Sequence, residues 1–346
     1  MRCHIVPPHM LERIARDADD PALRERARRT LALTSAQFAD RRTTAAGVPS
    51  PTEDFVPDRT IGDAQNREEL PGRTVRAEGA PACGDEAADQ AYDWLGATFD
   101  FFEAAYRRNS IDGAGLRMVS TVHYGDKYDN AFWNGEQMVY GDGDGVVFTS
   151  FTGCLDVTGH ELTHGVTQHT ANLEYYGQAG ALNESMSDVF GSLIKQWHLG
   201  QTADAADWLI GQGLLAPGVD GVALRSLKEP GTAYDDPRLG KDPQPAHMDH
   251  YVETYRDNGG VHINSGIPNR AFYLVATAIG GSAWEKAGRV WYDTLTGGTL
   301  AADIDFAGFA AATVRTATRL YGAEAVETKA VNRAWTGVGV PLEANG

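Results

Sequence analysis

Cysteine is scarce in this sequence. Cys3, Cys83 and Cys154 are the only three cysteines among 346 residues. An odd, widely spaced set of this kind does not form the disulfide framework of a small secreted scaffold. One bridge between Cys83 and Cys154 is compatible with the sequence, although we do not favour it.

Positive charge is also in short supply. The chain has 30 Lys and Arg against 47 Asp and Glu, which gives a formal net charge of −17. This imbalance argues against binding to nucleic acid or to an anionic membrane. We favour solubility as the explanation for the acidity, and calcium binding is the alternative.

Long hydrophobic runs are absent as well. The longest, AFYLVATAIGG at 271–281, is too short to span a membrane and predicts a buried helix. The N-terminus, MRCHIVPPHMLERIARD, has no continuous apolar stretch, because Pro7-Pro8 and then charged residues interrupt it. We therefore expect no secretory signal peptide, so that the protein either stays inside the cell or leaves by another route.

What is present is the composition of a globular protein, with 42% hydrophobic and 22% charged residues. The length suggests two or three structural units. Residues 11–40 predict two short helices separated at Asp20-Pro21. Residues 39–60 have the composition of a linker and are a natural place for proteolytic cleavage, so roughly the first 50 residues look separable.

The rest of the chain predicts an α+β fold. Segments 116–125 and 136–151 predict strands and hairpins, with GDGDG at 141–145 as a tight turn between strands. The Pro-, Gly- and Asp-rich stretch 212–260 predicts a long loop, which inside a compact domain is usually functional. Helices are predicted at about 86–107, 155–170, 181–198, 262–280, 282–297, 304–321 and 323–333.

The stretch VTGHELTHG at 157–165 places two histidines four residues apart. On a helix, His160 and His164 share one face and can present both imidazoles to one Zn²⁺. Glu161 lies about 100° further round the helix. It therefore points beside the metal, where a general base for the attacking water is needed. An exposed helix face with two solvated histidines is the alternative.

The following segment, GALNESMSDVFGS at 180–192, offers a third ligand. Glu184 can ligate the metal, and Asp188 can accept the second N–H of a ligand histidine and fix its tautomer. The helix macrodipole also favours acids near a helix start. That alternative does not explain why the pair follows H-E-x-x-H on a second helix.

Peptide hydrolysis also needs donors for the charge that develops on the carbonyl oxygen. The segment YRDNGGVHINSGIPNRAF at 255–272 supplies His262, with Asp257 placed to orient it and keep it protonated. Tyr175, in ANLEYYGQAG, is a second candidate donor. A capping role would explain a lone histidine at this position, but the surrounding constellation favours catalysis.

Taken in order, these motifs resemble the thermolysin family of zinc metallopeptidases over residues ~60–346. VHYGDKYDNAFWNGEQMVYGDGDG at 122–145 is similar to the family's substrate-binding edge strand and its flanks. GHELTHGVT is similar to its zinc helix, GALNESMSDVFG to its third-ligand helix, and RDNGGVHINSGIPNRAFYL to its catalytic-histidine segment.

The resemblance implies a two-lobed thermolysin-like zincin with one catalytic zinc. A β-rich lobe over 51–163 would end in the zinc helix, which lies between it and an α-helical lobe over 164–346. Glu161 would activate the water and pass its proton to the leaving amine. The implied zinc ligands are His160, His164 and Glu184, the oxyanion donors are His262 and Tyr175, and the orienting acids are Asp257 and Asp188.

The resemblance also implies how substrate binds. An apolar pocket implies cleavage before bulky hydrophobic residues of a protein or peptide substrate. The implied binding residues are Asn130 and Ala131 for the substrate backbone, Arg225 for a substrate carbonyl, and Phe148, Val157 and Leu224 for the pocket.

The short N-terminal segment resembles that of the protealysin branch. We expect residues 1–50 to be an inhibitory propeptide, removed by self-cleavage within 38–58, with PPHML in or near the cleft. Cys3 or His4 could reach the zinc as a latch, or both could be packing contacts of a small helical unit. Further expectations are a monomer, a proteinaceous inhibitor as partner, and secretion without a signal peptide, with a cytoplasmic zymogen pool as the alternative.

Calcium is where the sequence departs from thermolysin. Asp156 and Asp207 occupy positions of the family's double calcium site, but Lys195, Leu209 and Gln212 stand where acids are expected. A lysine between two aspartates can neutralise them without a metal. We therefore expect a degraded calcium site.

Three other functions fit parts of the pattern. An aminopeptidase would need an acidic anchor for a free amine, which the sequence does not show. A non-catalytic binding or inhibitor-like protein conflicts with an intact Glu161 beside three ligands. A structural zinc site usually closes the fourth position with Cys or His, and no fourth ligand is evident.

Overall fold

The computed structural model describes residues 3–39 and 55–342. Most of the interval in which we expect propeptide cleavage, 38–58, lies outside these residues. The described chain is β-rich in its first part and helical in its second, which confirms the predicted α+β class.

Six strands form the main sheet, in the order β1-β5-β6-β4-β2-β3. They are β1 (Cys3–His4), β2 (Arg59–Asp63), β3 (Arg73–Ala77), β4 (Met118–Val122), β5 (Ala131–Trp133) and β6 (Met138–Tyr140). The edge strand β1 comes from the N-terminal segment and pairs antiparallel with β5, with Cys3 opposite Trp133 and His4 opposite Phe132. The N-terminal segment thus adds one strand to the sheet formed by residues 59–140.

Ten helices are present in the described residues. They are α1 (Pro8–Asp17), α2 (Pro21–Ala39), α3 (Glu86–Tyr106), α4 (Leu155–Gln168), α5 (Gly177–Leu199), α6 (Asp257–Asn264), α7 (Gly266–Ile279), α8 (Ala287–Thr296), α9 (Phe306–Tyr321) and α10 (Val326–Gly337). Helix α1 starts with proline in its first turn, where the missing N–H costs nothing. None of the described helices is long and apolar enough to cross a membrane.

Helices α4 and α5 form the centre of the molecule. Helix α4 is buried from Leu155 to Thr167, and α5 is buried over most of its length. Their close approach depends on Gly191, since a Cβ there would lie 2.6 Å from the Asp156 carbonyl oxygen and 3.1 Å from His160 N. The polar side chains on the two facing surfaces are therefore packed against each other without room for bulk water.

Two sequence predictions were wrong in detail. The strand region predicted over 136–151 contains only β6, and GDGDG is a turn after that strand rather than between two strands. The Asp144 carboxylate there accepts the backbone N–H groups of Val146, Val147 and Phe148, which replaces strand pairing. The helix predicted over 262–280 is two helices, α6 and α7.

The predicted loop 212–260 contains short ladders that the sequence did not indicate. Strand β7 (Leu209–Ile210) pairs with β8 (Arg225–Ser226), and β9 (Asp235–Asp236) pairs with β10 (Gly240–Lys241). A 3-10 turn at Met248–His250 also lies in this stretch, α6 begins near its end, and another 3-10 turn at Phe151–Gly153 precedes α4. All three cysteines are free, so Cys83 and Cys154 are not bridged.

Candidate metal centre

His160 and His164 project from α4 toward Glu184 on α5. The Nε2 atoms of the two histidines lie 3.0 Å apart. Glu184 Oε2 is 3.5 Å from His160 Nε2, and Oε1 is 3.4 Å from His164 Nε2. All three side chains are fully buried. Two imidazole nitrogens and a carboxylate that converge in this way form a donor set that zinc accepts.

Hydrogen bonds fix the tautomer of both histidines. His160 Nδ1 donates to Asp188 Oδ1 at 2.8 Å, and His164 Nδ1 donates to Asn183 Oδ1 at 2.8 Å. Asn183 Oδ1 must accept, because Nδ2 of that amide donates to the Leu173 carbonyl. Burial lowers the pKa of His160 to about 4 and of His164 to about 3, so both imidazoles are neutral near pH 7.

This arrangement fits a cation. With the proton on Nδ1, each Nε2 carries a bare lone pair, and the two lone pairs lie 3.0 Å apart beside a carboxylate. Glu184 Oε2 is buried and accepts no hydrogen bond from any residue that the structure describes. Converging lone pairs without donors are costly in a buried site, and a zinc ion would satisfy all of them.

Asp188 is the centre of a second layer of polar contacts. Arg225 donates to it from Nε and Nη2 at 2.9 Å, and Asn269 Nδ2 donates to its Oδ2 at 2.8 Å. Burial alone would raise the pKa of Asp188, but the charge of Arg225 outweighs it and keeps the pKa below its usual value. Asp188 is therefore an ionised acceptor for His160.

His262 is held as a double donor on α6. Its Nδ1 lies 2.6 Å from Asp257 Oδ1, and its backbone N–H donates to Asp257 Oδ2 at 2.9 Å. Burial alone would lower the pKa of His262, but the charges of Asp257 and Glu184 raise it to about 9. The fold-back of Asp257 requires positive φ angles at Asp257, Asn258, Gly259 and Gly260, which explains the Asn-Gly-Gly sequence before the histidine.

The hydroxyl of Tyr175 lies between Glu184 and His262. It donates to Glu184 Oε1 and is 3.3 Å from His262 Nε2. Burial, followed by the negative charge of Glu184, raises the pKa of Tyr175 well above its usual value, so the phenol stays protonated. It is a hydrogen-bond donor at any working pH.

Glu161 is set apart from the three converging donors. Its Oε2 accepts the backbone N–H of Trp133 on β5 at 2.8 Å. Its Oε1 is buried and has no hydrogen-bond partner among the residues that the structure describes. Burial raises the pKa of Glu161 well above the usual range, so this carboxylate has a strong tendency to take up a proton.

The N-terminal segment lies across these groups as an extended peptide. Ile5 N–H donates to the Ala131 carbonyl at 3.1 Å, and Val6 N–H donates to Asn130 Oδ1 at 2.9 Å. His262 Nε2 donates to the His4 carbonyl at 3.0 Å, and Arg225 Nη1 donates to the Ile5 carbonyl at 2.9 Å. PPHML follows directly, with Pro8 starting α1.

The polar residues that the sequence predicts to bind substrate all contact this extended peptide. Asn130, Ala131 and Arg225 each contact its backbone directly. The apolar candidates are fully buried in the same core as Ile5; they are Phe148, Val157 and Leu224. Sequence reasoning missed Asn183 and Asn269, although both lie in the quoted motifs as polar residues on otherwise buried helix faces.

Lys195 lies where the sequence predicts a degraded calcium site. Its Nζ lies 2.7 Å from Asp156 Oδ2 and 3.1 Å from Asp207 Oδ1, and it also donates to the Leu209 carbonyl. Burial alone would lower the pKa of Lys195, but the two aspartates raise it. The Gln212 carbonyl faces the Cys154 thiol.

Two models of known protein families match this chain, and together they cover most of it. The model described as thermolysin metallopeptidase, catalytic domain, matches residues 58–168, and the one described as thermolysin metallopeptidase, alpha-helical domain, matches residues 171–340. The chain belongs to the thermolysin family. It is thus a metalloprotease, and the zinc implied by this family matches the converging donors of α4 and α5.

Relatives within the thermolysin family span nearly the whole chain. An extracellular metalloprotease of Pectobacterium carotovorum subsp. carotovorum is 52% identical over 98% of this chain and 97% of its own length. Protease PrtS of Photorhabdus sp. (strain Az29) is 49% identical over 98% of this chain and 92% of its own length. The solved precursor of protealysin, a metalloproteinase from Serratia proteamaculans, is 54% identical, with a TM-score of 0.89 over 98% of this chain and 100% of that one.

Proposed function

We propose that this chain is the self-processing zymogen of a zinc endopeptidase that cleaves before bulky hydrophobic residues. The observation that carries the proposal is the extended peptide of residues 4–6, whose backbone bonds to Asn130, Ala131, His262 and Arg225. A substrate backbone has the same donors and acceptors, so it can add to β5 as an extra strand in the same way.

His160, His164 and Glu184 would hold the zinc. When bound, zinc polarises the scissile carbonyl and makes water a stronger nucleophile at neutral pH. Glu161, with its unpartnered Oε1, takes the proton of the attacking water. Its raised pKa lets it carry that proton and then give it to the leaving amine.

His262 and Tyr175 stabilise the negative charge that develops on the carbonyl oxygen. With a pKa of about 9, His262 keeps a proton on Nε2 near pH 7, and this proton is donated to the His4 carbonyl in the zymogen. That carbonyl stands in for a substrate carbonyl. Asp257 orients the ring, and Asp188 does the same for His160.

Specificity would come from apolar side chains near the bound N-terminal segment. Phe148, Val157 and Leu224 are the candidates, since they carry no charge, are fully buried and belong to the same hydrophobic core as Ile5. Removing that segment would leave an apolar pocket that a bulky hydrophobic side chain fills, since burial of such a side chain contributes roughly 1.5–3 kcal/mol. Protein and peptide substrates are the expected partners.

The N-terminal segment supports a zymogen. It occupies the cleft that substrate would need, and the related protealysin was solved as a precursor. We propose residues 1–50 as an inhibitory propeptide, 51–163 as the β-rich catalytic lobe and 164–346 as the helical lobe, with cleavage within 38–58. Two relatives are named as extracellular proteases, which supports secretion of this one.

We propose that Lys195 replaces calcium between Asp156 and Asp207. An ammonium group 2.7 and 3.1 Å from the two carboxylates neutralises the charge that a cation would otherwise balance. Zinc is then the one metal that the enzyme needs for activity.

A Glu161→Gln substitution tests the mechanism. The variant should bind one zinc per chain but process its propeptide and cleave casein about 10²–10⁴-fold more slowly than wild type, the usual contribution of general-base catalysis. Glu68→Gln, at an exposed glutamate, is the matched control and should behave as wild type. A Glu161→Gln protein that cleaves casein as fast as the control, or wild-type activity that survives complete zinc removal by a chelator, would refute the proposal.

A further inference from the structure

Cys3 lies among the residues that converge at the metal centre. Its Sγ, one ring nitrogen of His164 and one carboxylate oxygen of Glu184 all lie within 4.8 Å of one another, and all three side chains are buried. Two donors that share a tetrahedral zinc ion through bonds of roughly 2.0–2.3 Å lie about 3.3–3.8 Å apart. The thiol is therefore at most about 1.5 Å beyond the separation that a further ligand of the same ion would have.

Strand pairing places this thiol. Cys3 and His4 form β1, opposite Trp133 and Phe132 of β5. Successive side chains of a strand point to opposite faces of the sheet, so only one of the two can face the metal centre. The His4 ring packs at 5.0 Å from the Phe132 ring, within the aromatic cluster of the other face, whereas the Cys3 side chain meets His164 and Glu184.

A second observation marks the same point as a ligand site. Glu184 Oε2 is fully buried and accepts no hydrogen bond from the described part of the chain. The Nε2 lone pairs of His160 and His164 face each other at 3.0 Å on the same side. The Cys3 sulfur lies beside two of these three side chains, His164 and Glu184.

We propose that in the uncleaved chain the Cys3 sulfur is the fourth ligand of the zinc held by His160, His164 and Glu184. The inference rests on the zinc site of the proposed function. On binding, the S–H bond breaks, a sulfur–zinc bond forms, and the proton is released to solvent. A closed four-ligand shell is typical of structural zinc sites. The zymogen site is therefore closed, and it becomes a three-ligand catalytic site only when the N-terminal segment leaves.

Inhibition by the segment then has two parts. Residues 4–6 block the substrate strand position, and Cys3 occupies the coordination position that the attacking water requires. The two parts are separable, because replacing the Cys3 sulfur leaves the backbone hydrogen bonds of residues 4–6 in place.

The test uses the full chain with Glu161→Gln, which keeps the propeptide attached, loaded with one Co²⁺ or one Zn²⁺. We expect a thiolate-to-cobalt charge-transfer band in the near ultraviolet and, with zinc, a metal–sulfur distance of about 2.3 Å by X-ray absorption. Adding Cys3→Ser should abolish both signals. Adding Cys83→Ser, at an exposed cysteine, should leave both unchanged.

Processing kinetics give a second readout. With Glu161 intact, Cys3→Ser should raise the rate of self-cleavage about tenfold or more, equivalent to about 1.4 kcal/mol or more of lost inhibition, and Cys83→Ser should not. A parent chain that holds one metal ion but shows no sulfur signal, or a signal that survives Cys3→Ser, would overturn the Cys3 ligand while leaving the proposed function intact. A parent chain that binds no metal would overturn both.

Discussion

The side chain of Asn130 hydrogen-bonds to the backbone of the N-terminal segment, and we expect it to bind the backbone of substrates in the same way. Its Oδ1 accepts the Val6 N–H at 2.9 Å, and its Nδ2 donates to the Val6 carbonyl at the longer distance of 3.4 Å. One good and one weak hydrogen bond should together contribute about 1–2 kcal/mol. Asn130→Ala should therefore weaken binding of any peptide in this position by about 5–30-fold.

Two measurements on the matured enzyme check this value. A synthetic peptide of residues 1–20 should inhibit the Asn130→Ala enzyme with an inhibition constant about 5–30-fold higher than for wild type. The kcat/KM for a peptide substrate should fall by a similar factor, because under the proposed function the N-terminal segment and the substrate share one backbone position. Equal changes in both constants are the signature of that shared position.

A neighbouring asparagine provides the control. Asn134 Oδ1 accepts the backbone N–H groups of Glu136 and Gln137 just after β5, and it makes no hydrogen bond to the described residues of the N-terminal segment. Asn134→Ala should cost stability without changing peptide inhibition. The reasoning fails if Asn130→Ala leaves the inhibition constant unchanged, or if the control raises it by the same factor.

Three further predictions concern stability, each measured by urea unfolding of the full chain carrying Glu161→Gln. Asp188→Asn leaves the buried charge of Arg225 without its partner and should cost about 3–5 kcal/mol, and a loss under 1 kcal/mol would contradict the paired arrangement. His123, which contacts Asp142, has its pKa raised to about 9, chiefly by that hydrogen bond, so its contribution is full below pH ~6.5 and is lost as the pH rises through about 9. His123→Gln should remove this loss, of order 1 kcal/mol for a partly exposed group, and parallel pH profiles would refute it. Lys195→Met leaves its two partner aspartates facing each other and should destabilise the chain by about 3 kcal/mol, with millimolar Ca²⁺ restoring part of the loss only in the variant.

Much of the fold and of the site can be predicted from local patterns in the sequence. The helices carrying His160, His164 and Glu184 were predicted within a few residues of their observed bounds, because a buried helix repeats its contacts every three to four residues. The predicted strands were less accurate. Hydrogen bonds from backbone N–H groups to side chains such as Asp144 take the place of strand pairing, and the periodicity of the sequence does not reveal them.

Other parts of the site have no local signal. The break between α6 and α7 follows from left-handed residues around Gly259, which let Asp257 fold back onto His262. The roles of Asn183 and Asn269 follow from which buried helix faces meet. The choice between Cys3 and His4 needed the register of β1 on β5, which two residues cannot specify by themselves.

The sequence by itself determined which side chains can bind zinc and handle a proton, because those choices depend on residue type and helical spacing. Only the tertiary structure decided what occupies the cleft. Val6 meets Asn130 across 124 positions, and the His4 carbonyl meets His262 across 258. Contacts of that separation are set by how the sheet and helices pack, and the same packing brings the Cys3 thiol within 4.8 Å of a ring nitrogen of His164 and a carboxylate oxygen of Glu184.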